Sequence, residues 1–393
     1  MIKSKPIQLI MLITIFSVNL FANNQEKNRN PNFDFSGIYE LWEISDILKQ
    51  DEKPTQKQLE NLIETPGYET VIKREISLGT FCELLTLSFM PSKSQELQEI
   101  HNDKEYSQRK KMMLNAFIKS DSLRDQIKIK MDELKVFPFT EKATTEALKY
   151  LPESSVEQFP PVSFIIWGLN SRGYDPIIMA MMDLFMIEDL ITPNILQYLQ
   201  QNGFTKNRIL VLGMGHEFFH FYRDKKLEFD FPNRESDDFD IIWTINQIEN
   251  EGIAEQIDCQ QLFYDNGILA KTKIADFHQE EQKEQPILIN KLDSLFIEIQ
   301  ENPENTKELG KNIRNLIPRS GHPTGYYMTN LILKHLGKES LINVVRNPFQ
   351  FFILYNESAK KDDKAIVFSD KSIELIIQLE RKYSKVVKKS LKK

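Results

Sequence analysis

Five consecutive residues, His216-Glu217-Phe218-Phe219-His220, carry the most legible chemistry in the chain. On a helix, positions i and i+4 share one face about a turn apart, so both imidazoles can reach a single ion. Glu217 is rotated around the axis, away from a ligand position and toward a metal-bound water, where a general base belongs. Zinc is the ion this pattern suits, since imidazole nitrogen is among its ordinary ligands. The chain has only six histidines, so a chance match to this spacing is expected in about one per cent of such sequences, a small risk for a motif. The flanking Met214, Gly215, Phe218, Phe219 and Phe221 are uncharged, as suits a metal helix in a low-dielectric interior.

A catalytic zinc takes three protein ligands and leaves a fourth position for water. The metzincin pattern would place Gly at Arg223 and His at Lys226, and neither is present. Downstream, Asn250-Glu251-Gly252-Ile253-Ala254 lies in a helical stretch. It resembles the Asn-Glu-Gly-Phe-Ala segment that supplies the glutamate ligand in the aminopeptidase branch of the gluzincins. The resemblance implies Glu251 as third ligand, and Gly252 as the residue that lets its helix approach the first. It also implies a carboxylate one turn on that hydrogen-bonds a zinc histidine. Glu255 fits that role, with Asp258 as the second candidate and a solvated helix face as the ordinary alternative for both. Two features depart from that family. The interval from His220 to Glu251 is longer, and the Gly-x-Met-Glu-Asn run that grips a free amino terminus is missing.

A wider resemblance is to a family of exported bacterial proteins of unknown function described as zinc-dependent peptidases. Its HExxH and Glu-Gly-x-Ala helices are followed by a Pro-x-Gly-Tyr-x-Met segment and an Asn-Pro-Phe stretch. Here these are Pro323-Thr324-Gly325-Tyr326-Tyr327-Met328 and Asn347-Pro348-Phe349. Peptide hydrolysis also needs a donor for the developing oxyanion. Tyr327 or Tyr326, ahead of His322, are the candidates, against plain aromatic packing beside Gly325. His101, His278 and His335 lie in charged surroundings and read as surface residues.

The elements that must position these groups are mainly helical. Residues 33–150 show apolar positions at three- and four-residue spacing with no fixed repeat, the pattern of an irregular bundle. The texture changes at Pro160-Pro161. Residues 162–167 form a branched and aromatic run closed by Gly168, which suits a buried strand. That strand is a candidate edge for pairing with an extended substrate. Residues 176–188 suit a second strand or a buried helix equally. Thr192-Pro193 opens a helix, and 206–224 and 241–264 read as two long helices with an acidic, solvated loop between them. The expected fold is mainly α (α+β), with a zincin-like catalytic core and a small β element wrapped by a helical bundle. Residues 33–155 form a helical N-terminal region and 156–393 the metallopeptidase region, together one compact unit.

Residues 1–22 are a different material. Lys3 and Lys5 precede an apolar run ending at Ala22, the pattern of a secretory signal peptide. The run is short for a span, which needs about 20 apolar residues, so the expected mature protein is periplasmic or secreted, with no membrane span. Formal charge is −7, and −9 without Lys3 and Lys5. That acidic body excludes nucleic acid, which needs a basic face, and leaves a peptide or protein substrate as partner. Two cysteines, Cys82 and Cys259, are too few for a disulfide scaffold. The expected activity is zinc-dependent peptide hydrolysis with one Zn2+ per chain. Two alternatives stand beside it: a zinc hydrolase of another amide or ester, and an exported binding or scaffold protein that keeps zinc for stability.

Overall fold

The computed structural model describes residues 28–152, 158–265 and 267–385. The segment read as a signal peptide, residues 1–22, lies outside them. The architecture is mainly α with one small β element: a three-stranded parallel sheet in the order β1 (Phe33–Asp34), β2 (Val162–Ile165), β3 (Ile177–Ala180). Among the described residues no helix is long and apolar enough to cross a membrane. The main hydrophobic core runs from Phe35 to Tyr383 and draws on both the N-terminal helices and the C-terminal half.

The sheet corrects one expectation. β2 is the central strand, paired to β1 at Val162 and Ser163 and to β3 along its length. It is therefore an inner strand, with its β3 side fully paired and Val162 and Ser163 covered on the other, and not an edge strand. The outer edge of β3 is also taken, because Arg172 exchanges both backbone hydrogen bonds with Ile178 and Ser171 Oγ accepts from the Ala180 N–H. The ambiguous stretch 176–188 turns out to be both of its readings in succession, β3 followed by helix Met181–Leu190. Strand and helix compete on equal terms in a short apolar run, and flanking structure decides.

Three helices frame the site. The HExxH helix, Asn207–Asp224, is buried on most of its faces and packs against helix Phe139–Leu148. Gly215 makes that contact close, since a Cβ there would lie 2.9 Å from Glu146 Cβ and 3.3 Å from the Ala143 carbonyl. The glutamate helix spans Phe239–Ala254, and the His322 helix spans His322–Val344 with a non-helical break at Gly337. The two pack against each other. The single helix expected over 241–264 is in fact interrupted. It ends at Ala254, turns through residues 255–258, and resumes as a short helix, Cys259–Phe263, capped by the Asp258 side chain.

Gly252 faces a different neighbour from the one expected. It meets Gly325 of the His322 helix rather than the HExxH helix. His278 is buried, stacked on Phe263 with ring centroids 4.5 Å apart, and is not a surface residue. His335 pairs with Asp362 at 3.0 Å, and His101 is exposed. Cys82 and Cys259 are both free thiols.

Candidate metal centre

The HExxH helix turns His216 and His220 toward the glutamate helix, and both are almost fully buried. Their Nε2 atoms stand 3.4 Å and 3.1 Å from one atom, Glu251 Oε2. A third imidazole arrives from the His322 helix, whose His322 Nε2 lies 3.3 Å from the same oxygen. Donor atoms of His216, Glu251 and His322 all fall within 4.8 Å of one another. Glu251 Oε2 is buried and accepts no hydrogen bond. A buried, unpartnered carboxylate oxygen is costly unless a positive charge neutralises it.

Each imidazole is held from behind. His216 Nδ1 lies 3.0 Å from Asp258 Oδ1, His220 Nδ1 2.9 Å from Asn250 Oδ1, and His322 Nδ1 2.6 Å from Glu255 Oε1. All three partners are acceptors, so Nδ1 carries the proton and Nε2 turns its lone pair to the centre, the arrangement that metal histidines adopt. Glu255 and Asp258 thus both contact a site histidine. Glu255, however, holds His322 rather than either HExxH histidine, and Asp258 sits in the turn beyond the helix end. Asn250 was not singled out from sequence. Its only signal was its place in the Asn-Glu-Gly segment.

The electrostatics follow from this packing. Burial pushes Glu251 toward the neutral form, but His322, His220 and His216 outweigh it and hold the carboxyl well below its usual range. Burial likewise opposes charge on His216, yet Asp258, Glu251 and Glu217 hold its pKa well above the ordinary imidazole value. The pocket carries enough negative charge to demand a cation, either protons on the imidazoles or a metal in their place. Two zinc ligands about 2.0–2.1 Å from the ion at the tetrahedral angle stand about 3.3 Å apart. The three separations from Glu251 Oε2 match that figure, and imidazole nitrogen and carboxylate oxygen are donor types that suit zinc.

Glu217 is partly buried beside this centre. Burial raises its pKa, and the neighbouring His216 and His220 pull it back. Across from it the segment between β2 and β3 presses on the HExxH helix. A Cβ on Gly173 would lie 2.4 Å from His220 Cβ and 3.0 Å from the Glu217 carbonyl. Glu75, from the N-terminal helical region, anchors this segment by accepting from Arg172 Nε at 3.2 Å and from the Tyr174 hydroxyl. Asp183 follows β3. Burial pushes its carboxyl up to about 7, with the Glu217 charge as the second cause. Nothing in its sequence surroundings marked Asp183 as part of the site.

The tyrosines are placed elsewhere. The Tyr326 hydroxyl donates to Gln260 Oε1, and its ring stacks on Tyr264 at 4.3 Å. Tyr327 is half-buried against the core, where burial and the Asp362 charge raise its pKa. Of the three oxyanion candidates, His322 is the one whose ring contacts Glu251 directly.

Residues 59–364 match the model of a protein family described as "Putative zinc dependent peptidase". The chain belongs to this family. The match takes in every residue of the centre, from Asp183 and the HExxH helix through His322. No curated protein and no solved structure matches the chain.

Proposed function

We propose that the chain is an exported zinc-dependent peptidase, with His216, His220 and Glu251 holding the ion and Glu217 acting as general base. The observation that carries this reading is the buried Glu251 Oε2, unpartnered and ringed by imidazole nitrogens. Zinc bound there would supply a Lewis acid for the scissile carbonyl and lower the pKa of the attacking water. The remaining chemistry belongs to the chain. Glu217, its carboxyl raised by burial, takes the proton of the attacking water and returns it to the leaving amine. Asp258 and Asn250 keep the two HExxH imidazoles in the tautomer that presents Nε2. The Gly173 segment, anchored by Glu75, packs directly on the turn of helix that carries Glu217 and His220.

The convergence of His322 on the same oxygen also suits a site that keeps zinc for stability alone. Glu217 separates the two readings, because a structural site has no use for a carboxylate there. Glu217→Gln should abolish hydrolysis of a cleaved peptide, at least a hundredfold as expected for a lost general base, while zinc content and melting temperature stay near wild type. Full activity in this variant would end the general-base assignment.

A further inference from the structure

We infer that His322 is a fourth protein ligand to the metal, so that the resting site is closed by three imidazoles and one carboxylate. This rests on the zinc reading above and adds to it a ligand that the HExxH and Glu-Gly-x-Ala patterns do not contain.

The two HExxH histidines define what a ligand looks like in this fold, and His322 meets the same description at each point. Its Nε2 is 3.3 Å from Glu251 Oε2, between the His220 and His216 values of 3.1 Å and 3.4 Å. All three imidazoles thus meet one carboxylate oxygen at about the separation expected between two zinc ligands, and His322 falls with His216 and Glu251 in a set whose donor atoms lie within 4.8 Å of one another. Its Nδ1 is held at 2.6 Å by Glu255, a carboxylate buried to 4% exposure. Burying a carboxylate is expensive, and this one meets the rear of an imidazole, as Asp258 does for His216. The ring of His322 lies nearly parallel to that of His216, at 18° and 5.8 Å between centroids, so the two present their Nε2 atoms to the centre side by side.

The backbone is arranged for the purpose. His322 opens its helix directly after Gly321, whose φ of +99° only glycine adopts readily, and which abuts Ile248 of the glutamate helix. One turn on, Gly325 touches Gly252. Two glycine contacts therefore clamp the start of the His322 helix onto the helix that carries Glu251.

The four groups are not equally enclosed. The side chain of His322 is 27% exposed, against 9% for each HExxH histidine and 12% for Glu251. His322 is thus the ligand on the solvent side, where substrate must arrive. A site with four protein ligands has no position left for water unless one yields or coordination expands to five. His322 is the one that can yield.

The test compares wild type with His322→Ala and with Glu255→Gln, which keeps the imidazole but weakens its support. The readouts are zinc affinity, by competition with a chromophoric chelator, and the visible absorption spectrum of the cobalt(II)-substituted protein. The expected result is at least tenfold weaker zinc binding in His322→Ala, a smaller loss in Glu255→Gln, and a cobalt spectrum that changes in band position and intensity in His322→Ala. Unchanged affinity and an unchanged cobalt spectrum in His322→Ala would overturn the inference, even if peptidase activity fell, since His322 would then serve substrate only. If His322→Ala does not fold, Glu255→Gln decides by the same two readouts: a shifted cobalt spectrum supports ligation and an unaltered one rejects it. Wild type that binds no zinc would overturn this inference and the proposed function together, whereas zinc bound equally by wild type and variant would overturn this inference alone.

Discussion

Gly252 and Gly325 meet face to face: a Cβ built on Gly252 would lie 2.2 Å from the Gly325 carbonyl carbon, and one on Gly325 would lie 1.9 Å from the Ile248 carbonyl oxygen. The two helices thus cross at backbone contact, and this crossing sets His322 beside Glu251. Backbone cannot yield as a flexible side chain can, and overpacking a tight contact costs about 1–3 kcal/mol. Gly325→Ala should lower stability by at least that much in a denaturant titration. It should also weaken zinc binding, because the helices separate where two of the site groups originate. Wild-type stability in this variant would mean the crossing is looser than described.

Asn250 supports His220 through its side-chain oxygen at 2.9 Å. Loss of such a partner behind a metal histidine typically costs 10–100-fold in metal affinity. Asn250→Ala should show that loss by chelator competition, and Asn250→Asp, which keeps an acceptor in place, should recover most of it.

Arg223 and Glu249 are both fully buried and bonded to each other, with Asn246 accepting a further hydrogen bond from Arg223 at 2.7 Å. The pair ties the HExxH helix to the glutamate helix, one turn beyond His220 and two residues before Glu251. Removing Glu249 leaves the buried Arg223 with only the half-exposed Asp224 as counter-charge, and breaking a buried pair in this way costs up to about 3–5 kcal/mol. Glu249→Ala should therefore destabilise strongly, while Arg223→Met combined with Glu249→Leu should cost much less. Equal losses in the single and double variants would contradict this account of the pair.

How much of this was legible beforehand divides along the range of the interactions involved. The HExxH pair was readable because helical spacing alone brings His216 and His220 to one face. Glu251 came from a resemblance in a short segment, and the mainly helical class from apolar periodicity. Contacts made over long separations left no local mark. Asp183 and the Gly173 segment reach the centre only through tertiary packing, and Asn250 is marked by nothing beyond its place beside Glu251. The break at Ala254 was hidden because residues 255–258 carry no Pro or Gly to punctuate the helix. Tyr326 and Tyr327 suit an oxyanion donor by type and proximity to Gly325, but the contacts they make, Tyr326 with Gln260 and Tyr264 and Tyr327 with the core, depend on tertiary packing that the sequence does not display. Arg223 departs from the metzincin pattern by its type alone, and its burial opposite Glu249 is set by packing that the sequence does not display.

Asp183 gives a pH signature to the metal-free protein. Its folded-state pKa, about 7, lies above the ordinary value of 3.8, chiefly through burial and then the Glu217 charge. The folded state therefore holds the proton more tightly than the unfolded chain. The associated stability is fully present below about pH 3.8 and drains away as pH rises through 7. Asp183→Asn keeps a neutral group at every pH and should remove this component. The stability difference between variant and wild type should shift in favour of the variant between pH 4 and 8. A constant difference across that range would rule out a raised Asp183 pKa.

The central claim is that Glu251 completes a zinc site with His216 and His220, and metal content tests it most directly. Residues 23–393 and the same chain with Glu251→Ala would be purified, supplied with zinc, dialysed and analysed for bound metal. The account predicts one zinc per wild-type chain and a metal content lost or greatly reduced in the variant. Zinc retained at full affinity without Glu251, or no zinc in either protein, would contradict it.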